Sequence, residues 1–210
     1  MAIIIDVEHY GGRRAYLAHL RARVLYAMGS YDWVRQIQWS AVRRVAFVCQ
    51  GNICRSPYAG GRARLHGISA ISFGIQTVDG SAADPAALRN AFNRGVDLSG
   101  HRAARFDKSL IAPNDLVMVF EPRHLVEIVR QGVTAGAGIT LIGIWTKPRR
   151  PHIQDPYGRS DRYFQQCFSE IDLYIDALAK RLAEHHAPAG AAVMGCHSAV
   201  TSSLKNASSE

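Results

Sequence analysis

A cysteine and an arginine lie six positions apart, at Cys49 and Arg55, within the segment V-A-F-V-C-Q-G-N-I-C-R-S-P that spans residues 45–57. A cysteine thiolate is a strong nucleophile, and a guanidinium group can bind two oxygens of a phosphoryl group at once. Gly51 and Asn52, between them, tolerate the positive φ angles of a loop that turns its N–H groups inward. The spacing therefore predicts an anion-binding loop with Cys49 at its mouth, although C-x5-R alone is a weak signal.

The elements that flank this loop are those that an anion site needs. Val45–Val48 predicts a short buried strand, and Ser56 and Pro57 predict a helix start, with Ser56 as N-cap and Pro57 at the first helical position. A strand, a tight loop and a helix N-terminus surround an anion with N–H groups and the positive end of the helix dipole. These groups and Arg55 favour the thiolate of Cys49 and match the non-bridging oxygens of a phosphoryl group. We therefore expect phosphoryl transfer to Cys49, with no metal and no cofactor.

A phosphoryl transfer that expels an alkoxide or a phenolate also needs a proton donor. Asp155, in the sequence Q-D-P-Y-G, is the best candidate, because Pro156 holds it in an extended conformation that lets its carboxyl group project. The Asp-Pro dipeptide is not specific, since Asp84-Pro85 has the pattern of an N-cap followed by proline at the first helical position.

Apolar strands alternate with helices along the rest of the chain. Three further strands are predicted at Ala70–Gln76, Leu116–Phe120 and Ile139–Trp145, and helices at Ser56–His66, from Asp84, through Leu125 and at Ser160–Glu184. Near-continuous apolar strands separated by helices are typical of an α/β fold, with a parallel sheet covered on both faces. Ligands bind beyond the carboxyl ends of such strands, where Cys49 is placed.

Several side chains carry expectations about packing. Leu88 and Phe92 are expected to face the core from their helix, and Cys167 is expected to be a buried, inert thiol beside the apolar face of the last helix. The tandem Gly60-Gly61 disfavours its helix by about 1 kcal/mol for each glycine. Close packing of these glycines would offset that cost.

Residues 1–42 form an extension before the first strand, and residues 186–210 form a tail. In the extension, apolar residues recur at helical spacing among arginines, and a second short helix is expected near Asp32–Ser40. The recurring apolar residues are Tyr16, Leu17, Leu20, Val24 and Met28. Two interpretations stay open: a helical hairpin packed on the main domain, or a docking element for a partner or an anionic membrane surface. The tail, with Cys196, is rich in Ala, Gly and Ser and is predicted to be disordered.

The composition is that of a globular protein. The 210 residues carry a net charge of +8, which favours anionic partners without choosing among them, and no nucleic-acid-binding motif is found. Four cysteines at this length do not form a secreted disulfide framework, and no apolar run is long enough to span a membrane. We expect a cytoplasmic protein with no membrane span and no specific nucleic-acid partner.

With these residues identified, the sequence resembles the low-molecular-weight protein tyrosine phosphatases. C-Q-G-N-I-C-R-S-P is similar to that family's phosphate loop, C-x-G-N-x-C-R-S-P, and D-P-Y-G at residues 155–158 is similar to its general-acid motif. S-F-G at residues 72–74 and G-V-D-L-S-G-H-R-A at residues 95–103 resemble two further stretches. The resemblance covers roughly residues 43–185. It implies a three-layer, flavodoxin-like fold, in which a four-stranded parallel sheet has helices on both faces.

The resemblance also implies roles for the residues of the loop. Cys49 would attack phosphorus and form a phosphocysteine, and Arg55 would bind the phosphoryl oxygens. Asp155 would protonate the leaving phenol and then activate the water that hydrolyses the intermediate. The other phosphate-binding positions implied are Gln50, Gly51, Asn52, Ile53 and Cys54.

Four residues outside these positions receive supporting roles from the resemblance. Ser56 would hydrogen-bond the thiolate. Ser72 and His101 would hold Asn52 in its strained conformation. Tyr157 would line the cleft and stack on the substrate ring.

Cys54 resembles the family's second loop cysteine, which can pair with the nucleophile under oxidation. This implies a reversible disulfide that protects Cys49 from over-oxidation; the alternative is that Cys54 is a packing residue of convenient size. The chain departs from the family pattern at Gly60, at Ile75 and at Phe120-Glu121, and these departures leave the substrate preference open.

Three functions are compared on this basis. The expected function is hydrolysis of phosphotyrosine in proteins, with a bacterial tyrosine kinase among the partners by analogy, and phosphate or another oxyanion bound in the loop. A catalytically weak phosphotyrosine-binding module is one alternative, but the intact Cys49, Arg55 and Asp155 argue against it. An arsenate reductase is another, but residues 120–138 contain none of the further redox cysteines that its chemistry needs.

Overall fold

A four-stranded parallel sheet lies at the centre of the structure, a computed structural model that describes residues 7–133 and 136–186. The strands are β1 (Arg44–Cys49), β2 (Ala70–Gly74), β3 (Asp115–Val119) and β4 (Gly138–Leu141), in the spatial order β2-β1-β3-β4. All neighbouring pairs run parallel. Because the chain reverses its winding direction between β1 and β3, the carboxyl end of β1 lies at the point where such sheets bind ligands.

Helices cover both faces of the sheet and form two cores with it. They are α1 (Arg13–Ala27), α2 (Arg55–Leu65), α3 (Pro85–Phe92), α4 (Pro122–Arg130) and α5 (Asp161–His186). Along β1, Val45 and Phe47 belong to the core with α2, α3 and α5, whereas Ala46 and Val48 belong to the core with α4. This alternation is that of a strand buried on both faces. The predicted three-layer α/β fold is confirmed.

Two strands are shorter than predicted. β2 ends at Gly74, and the next two backbone N–H groups donate to the carbonyls of Cys49, the last residue of β1, and of Gln50 after it. β4 ends at Leu141, and Ile142–Ile144 continues as a 3-10 turn. The predicted tail lies outside the described residues, Cys196 included, apart from His186 at the end of α5.

The prediction that Phe92 faces the core is wrong, since 76% of its surface is exposed. The eight-residue α3 buries Ala87 and Ala91 instead, and Leu88 is only partly buried against the same core. The burial of Cys167 in α5 is confirmed, and burial raises the pKa of its thiol well above the ordinary value.

One of the two tandem glycines in α2 is explained by close packing. A Cβ at Gly61 would overlap the Val96 side chain, so only glycine lets α2 approach so closely. A Cβ at Gly60 would lie 3.4 Å from a guanidinium nitrogen of Arg64 and 3.8 Å from Ser72 Cβ, which leaves room for a methyl group. Packing therefore offsets the helix-propensity cost at Gly61 but does not require glycine at Gly60.

The N-terminal extension packs on the rest of the chain through unexpected residues. α1 buries Ala15, His19 and Ala22, whereas the predicted apolar residues other than the half-buried Tyr16 are exposed, Leu17 by 63% and Met28 by 74%. The small residues allow α1 to lie close to the protein, and the larger apolar ones point away from it. None of the helices in the described part of the chain has the length and apolarity to cross a membrane.

The second predicted helix of the extension is replaced by two 3-10 turns, Asp32–Arg35 and Trp39–Ala41. These turns lie beside the β4 edge of the sheet, where the Gln38 N–H donates to the Ala137 carbonyl at 3.1 Å and Val34 is fully buried. The extension thereby covers a sheet edge whose unpaired groups would otherwise be open to another strand.

Candidate active site

The 49–55 loop (Cys49–Arg55) follows β1 and is held from outside through its carbonyl groups. The carbonyl oxygens of residues 49–53 all accept hydrogen bonds from groups outside the loop. In chain order the donors are Ile75 N (3.0 Å), Gln76 N (2.8 Å), Thr77 Oγ1 (2.7 Å), His101 Nε2 (2.7 Å) and Asp84 N (2.9 Å). A trans peptide directs its C=O and the following N–H to opposite sides. The N–H groups of residues 50–54 therefore point into the loop, as an anion site requires.

The sulfur of Cys49 receives polar contacts inside this loop. The Asn52 N–H donates to Sγ at 3.3 Å, and Ser56 Oγ lies 3.0 Å from it. The Ser56 hydroxyl donates to the carbonyl oxygen of Phe73 at 3.1 Å, and its Oγ accepts a bond from Asn52 Nδ2 at 2.8 Å. The hydroxyl has a single hydrogen, so Ser56 donates to a thiolate at Cys49 when that hydrogen turns from the Phe73 carbonyl to the sulfur.

The prediction that Ser56 caps α2 is wrong. α2 begins at Arg55, Cys54 holds the N-cap position without a side-chain cap, and Pro57 stands at the third helical position. The hydroxyl of Ser56 is engaged by Cys49 and its neighbours instead. The first N–H groups of α2 are therefore not capped by a side chain, and they add to the anion site.

Asn52 holds the loop in its conformation. It is fully buried with a φ of 51°, the one positive φ among the non-glycine residues that the structure describes. Its Nδ2 donates to Ser72 Oγ at 3.0 Å, and its Oδ1 accepts from the Ala104 N–H at 2.9 Å. His101 donates Nε2–H to its carbonyl, because a carbonyl oxygen can only accept. Together these contacts over-determine a strained backbone, as is common at functional sites.

Arg55 is fully buried at the start of α2, between two carboxylates. Its Nη1 lies 2.6 Å from Glu121 Oε1 and donates to the Ile153 carbonyl at 2.8 Å, while Nη2 lies 2.6 Å from Asp155 Oδ2. Burial alone would lower the pKa of Arg55, but the charges of Asp155 and Glu121 raise it above the ordinary value. Its Nε makes no hydrogen bond to any described residue, so this buried donor can bind a phosphoryl oxygen.

Glu121 is a site residue that sequence reasoning did not assign. It is 2% exposed and lies two residues after the end of β3 at Val119, which puts it beside the end of β1. Burial alone would raise its pKa, but Arg55 holds that pKa down to about 2. His124 Nε2 lies 3.6 Å from the same carboxylate, and burial together with Arg55 lowers the pKa of His124 to about 3. The signal in the sequence was an acidic residue at the end of a strand adjacent to β1.

Asp155 lies in the 146–159 loop (Thr146–Arg159), and its side chain is 23% exposed while in contact with Arg55. The Tyr157 N–H donates to its Oδ1 at 3.2 Å, and the Tyr157 ring is 61% exposed at the same surface. The carboxyl group thus projects from the loop toward the 49–55 loop instead of capping a helix. Asp84, by contrast, caps α3 by accepting from two backbone N–H groups.

The 146–159 loop is fixed by the sheet on one side and by α5 on the other. The Ile153 N–H donates to the Phe120 carbonyl at 2.9 Å, and the Tyr163 hydroxyl donates to the Gln154 carbonyl at 3.3 Å. Both contacts lie within two residues of Asp155, so they set where its carboxyl group can reach.

The N-terminal extension also contacts the 146–159 loop. The guanidinium of Arg150 lies over the Tyr10 ring, 4.8 Å from its centroid, and the same side chain contacts His9 and Glu170. His19 in α1 is 3% exposed, and its ring lies beside the backbone of His152. Burial, followed by the charge of Arg150, lowers the pKa of His19 to about 4. His9, Tyr10 and His19 precede the 146–159 loop in sequence by more than a hundred positions.

Cys54 lies within the loop, 2% exposed, and is a free thiol, as is Cys49. Burial, followed by the negative charges of Asp155 and Asp84, raises the pKa of Cys54. The thiolate form of Cys54 is therefore less favoured than that of an exposed thiol. Among the described residues, no group of three or more His, Cys, Asp or Glu side chains could hold a metal ion.

Comparison with known proteins places this geometry in a family. The sequence model of the family described as low molecular weight phosphotyrosine protein phosphatase matches residues 44–187. The chain belongs to that family. The match begins at β1, so the N-terminal extension lies outside it.

Curated relatives and solved structures agree with this assignment. The probable low molecular weight protein-tyrosine-phosphatase EpsP of Ralstonia nicotianae is 32% identical over 143 residues, which cover 67% of this chain and 97% of the relative. The crystal structure of the tyrosine phosphatase Wzb from Escherichia coli K30 with sulphate is 31% identical, has a TM-score of 0.62, and covers 67% of this chain and 99% of its own. The YwlE arginine phosphatase from Geobacillus stearothermophilus is 26% identical with a TM-score of 0.62, covering 68% of this chain and 94% of its own.

Proposed function

We propose that this protein hydrolyses phosphotyrosine in proteins through a phosphocysteine intermediate at Cys49. The observation that carries the proposal is the 2.6 Å contact between Arg55 and Asp155, far apart in the chain. It joins the nucleophile loop, a phosphate-binding cation and a proton donor in one site. Membership of the family supports the choice of a phosphorylated protein as substrate.

In the first step, Cys49 Sγ attacks phosphorus and the bond between phosphorus and the phenol oxygen breaks. The carboxyl proton of Asp155 goes to the phenol oxygen, and the phosphoryl group stays on sulfur. The inward N–H groups and Arg55 Nε bind the non-bridging oxygens as charge develops on them. The phosphoryl group competes with Asp155 for Arg55 and so releases the carboxyl group toward the leaving oxygen.

In the second step, the carboxylate of Asp155 takes a proton from water, whose oxygen attacks phosphorus. The bond between sulfur and phosphorus breaks, which yields inorganic phosphate and the Cys49 thiolate. Glu121 keeps the Arg55 guanidinium in place through both steps, so we assign it a positioning role. Ser56 stabilises the thiolate, and Tyr157, exposed beside Asp155, stacks on the phenol ring of the substrate.

Ser72 and His101 act through Asn52 and not on the substrate. Both contact Asn52, whose N–H donates to Cys49 Sγ. We infer that they keep the loop preorganised. Because phosphotyrosine in proteins is made by tyrosine kinases, we further propose a bacterial tyrosine kinase as a partner and the cytoplasm as the place of action.

The test is turnover of a phosphotyrosine peptide by the full chain in buffer with a chelator. Cys49→Ser should be inactive. Asp155→Asn should lose about 10²- to 10⁴-fold in kcat on this peptide and much less on an aryl phosphate whose phenol is far more acidic. Asp161→Asn is the matched control, since Asp161 is exposed and, within the described part of the chain, forms only a 3.5 Å surface ion pair with Arg89; it should behave like the parent.

Other outcomes separate the alternatives. If the parent binds the peptide without cleaving it, the protein is a phosphotyrosine-binding module. If it cleaves a phosphoarginine peptide at least tenfold faster than the phosphotyrosine peptide, its substrate class is phosphoarginine, as the name of the YwlE arginine phosphatase indicates for that protein. Thiol-dependent reduction of arsenate without ester hydrolysis would make it an arsenate reductase, although Cys167, the described cysteine outside the loop, is buried.

A further inference from the structure

A cleft of about 300 Å³ lies between the N-terminal extension, the start of the 146–159 loop and α5. Its lining consists of Tyr26, Arg35, Ile144, Trp145, Thr146, Lys147, Arg149 and Arg181. None of these residues belongs to the 49–55 loop or contributes to the proposed mechanism. We call it the basic cleft. Its volume is at the lower end of the range for small-ligand sites, about 300–1,000 Å³.

The charged residues of the basic cleft all have the same sign. Four cations line it, namely Arg35, Lys147, Arg149 and Arg181, and no carboxylate does. Within the described part of the chain, Lys147, Arg149 and Arg181 form no ion pair, and Arg35 pairs only with the exposed Asp32, at 3.7 Å. Some arginines elsewhere on the surface are paired, such as Arg62, which lies within 3.4 Å of Asp172, whereas others in the described part of the chain, such as Arg43 and Arg130, also form no ion pair.

Aromatic rings fix the orientation of two of these cations. The Arg181 guanidinium lies over the rings of Trp39 and Trp145, at 5.1 and 4.9 Å from their centroids, and Arg149 lies 5.8 Å from the Tyr26 ring. A guanidinium stacked on a ring keeps its N–H edge free for hydrogen bonds. The four cations therefore repel one another, and a bound anion would remove that repulsion. Their hydrogen-bond donors are already oriented, which lowers the entropic cost of binding.

We propose that the basic cleft is a second anion site that binds a ligand carrying two phosphate groups. The four cations match such a ligand in charge, whereas a single phosphate would leave about two of them unbalanced. Guanidinium groups bind phosphate oxygens in a fork, and the Thr146 hydroxyl adds a neutral donor. The two phosphate groups can belong to a soluble molecule or to a lipid headgroup, since the residues of the cleft recognise only the phosphates.

The experiment counts pyrophosphate sites on the full chain. Titration calorimetry at low salt measures all binding, and competitive inhibition of aryl phosphate hydrolysis by pyrophosphate measures binding to the 49–55 loop alone. We expect two equivalents for the parent, one of which does not compete with substrate. The double variant Arg35→Gln/Arg149→Gln should raise the dissociation constant of that second site at least tenfold while the inhibition constant changes less than twofold.

The matched control is Arg43→Gln/Arg130→Gln, which removes two exposed arginines outside the basic cleft. It should keep both equivalents. One equivalent in the parent, fully accounted for by the inhibition constant, would overturn the proposal, and so would equal binding by the two double variants. Vesicles that contain a lipid with two phosphates in its headgroup distinguish the two sources of the ligand. If the ligand is a lipid, the parent should bind these vesicles and the cleft variant should not. If the parent binds free pyrophosphate but not the vesicles, the ligand is soluble.

Discussion

A methyl group added at Gly74 is expected to impair the active site while the fold remains. Gly74 ends β2 against the 49–55 loop, and a Cβ there would lie 2.9 Å from both the backbone nitrogen of Asn52 and the carbonyl carbon of Gly51. These are backbone atoms, so no side-chain rotation can relieve the contact. Gly74 does not have a positive φ, so alanine brings no conformational strain and the effect comes from the contact alone.

The size of the effect follows from the displacement that the methyl group imposes. An ordinary Cβ contact begins at 3.4 Å, so the loop must withdraw by roughly 0.5 Å or more. Such a movement takes the Asn52 N–H away from Cys49 Sγ and misaligns the inward N–H groups. A misplacement of about 1 Å can cost about 10²-fold in rate, so we expect kcat to fall about 10- to 100-fold. Overpacking should lower the free energy of unfolding by about 1–3 kcal/mol.

The assay is kcat on a phosphotyrosine peptide, together with urea unfolding of the same preparations. Gly60→Ala is the matched control, because its methyl group meets nothing closer than 3.4 Å. It should keep kcat within twofold and gain up to about 1 kcal/mol from helix propensity. Parental kcat in Gly74→Ala, or an equal loss in Gly60→Ala, would refute the argument that backbone contact positions the loop.

Two further outcomes are expected. After inactivation by peroxide, Cys54→Ser should recover far less activity with thiol reductant than the parent, because the Cys49 sulfenic acid cannot then condense with the Cys54 thiol to a disulfide and water; equal recovery would leave Cys54 a packing residue. His19→Gln should lose less stability on acidification. The unfolded chain protonates His19 near pH 6.5 but the native state only near pH 4, so the parent should lose about 2 kcal/mol more than the variant between pH 7 and pH 5 in urea unfolding, and equal losses would contradict the buried, neutral state of His19.

Much of the site could be predicted because its chemistry lies in local sequence. Cys49, Arg55 and the residues between them occupy one short loop, and their types indicate both the anion and the nucleophile. The strands around it were recognisable from their apolar runs, since both faces of the sheet are buried. Asp155 was harder to assign, because only the tertiary fold brings it to Arg55.

The errors came from contacts that sequence periodicity does not encode. Ser56 fits an N-cap, but a sulfur and a side-chain amide compete for its hydroxyl. Phe92 has the spacing of a core residue, but it is the last residue of a short helix that buries Ala87, Asn90 and Ala91 and leaves Phe92 exposed. Glu121 could have been assigned from topology, because a carboxylate after β3 must lie beside the end of β1.

The extension is best understood through the loop that carries Asp155. The family match begins at residue 44, yet His9 and Tyr10 contact Arg150 of the 146–159 loop, and His19 lies beside His152, from before that point. Asp155 can act as the proposed general acid only when its loop is correctly placed, so we expect residues outside the family match to help position the active site of this chain. The same loop, through Lys147 and Arg149, lines the basic cleft. A ligand in the basic cleft can change catalysis only if it binds one conformation of the 146–159 loop more tightly than another. Such a difference in affinity is physically possible because the same loop lines the cleft and carries Asp155.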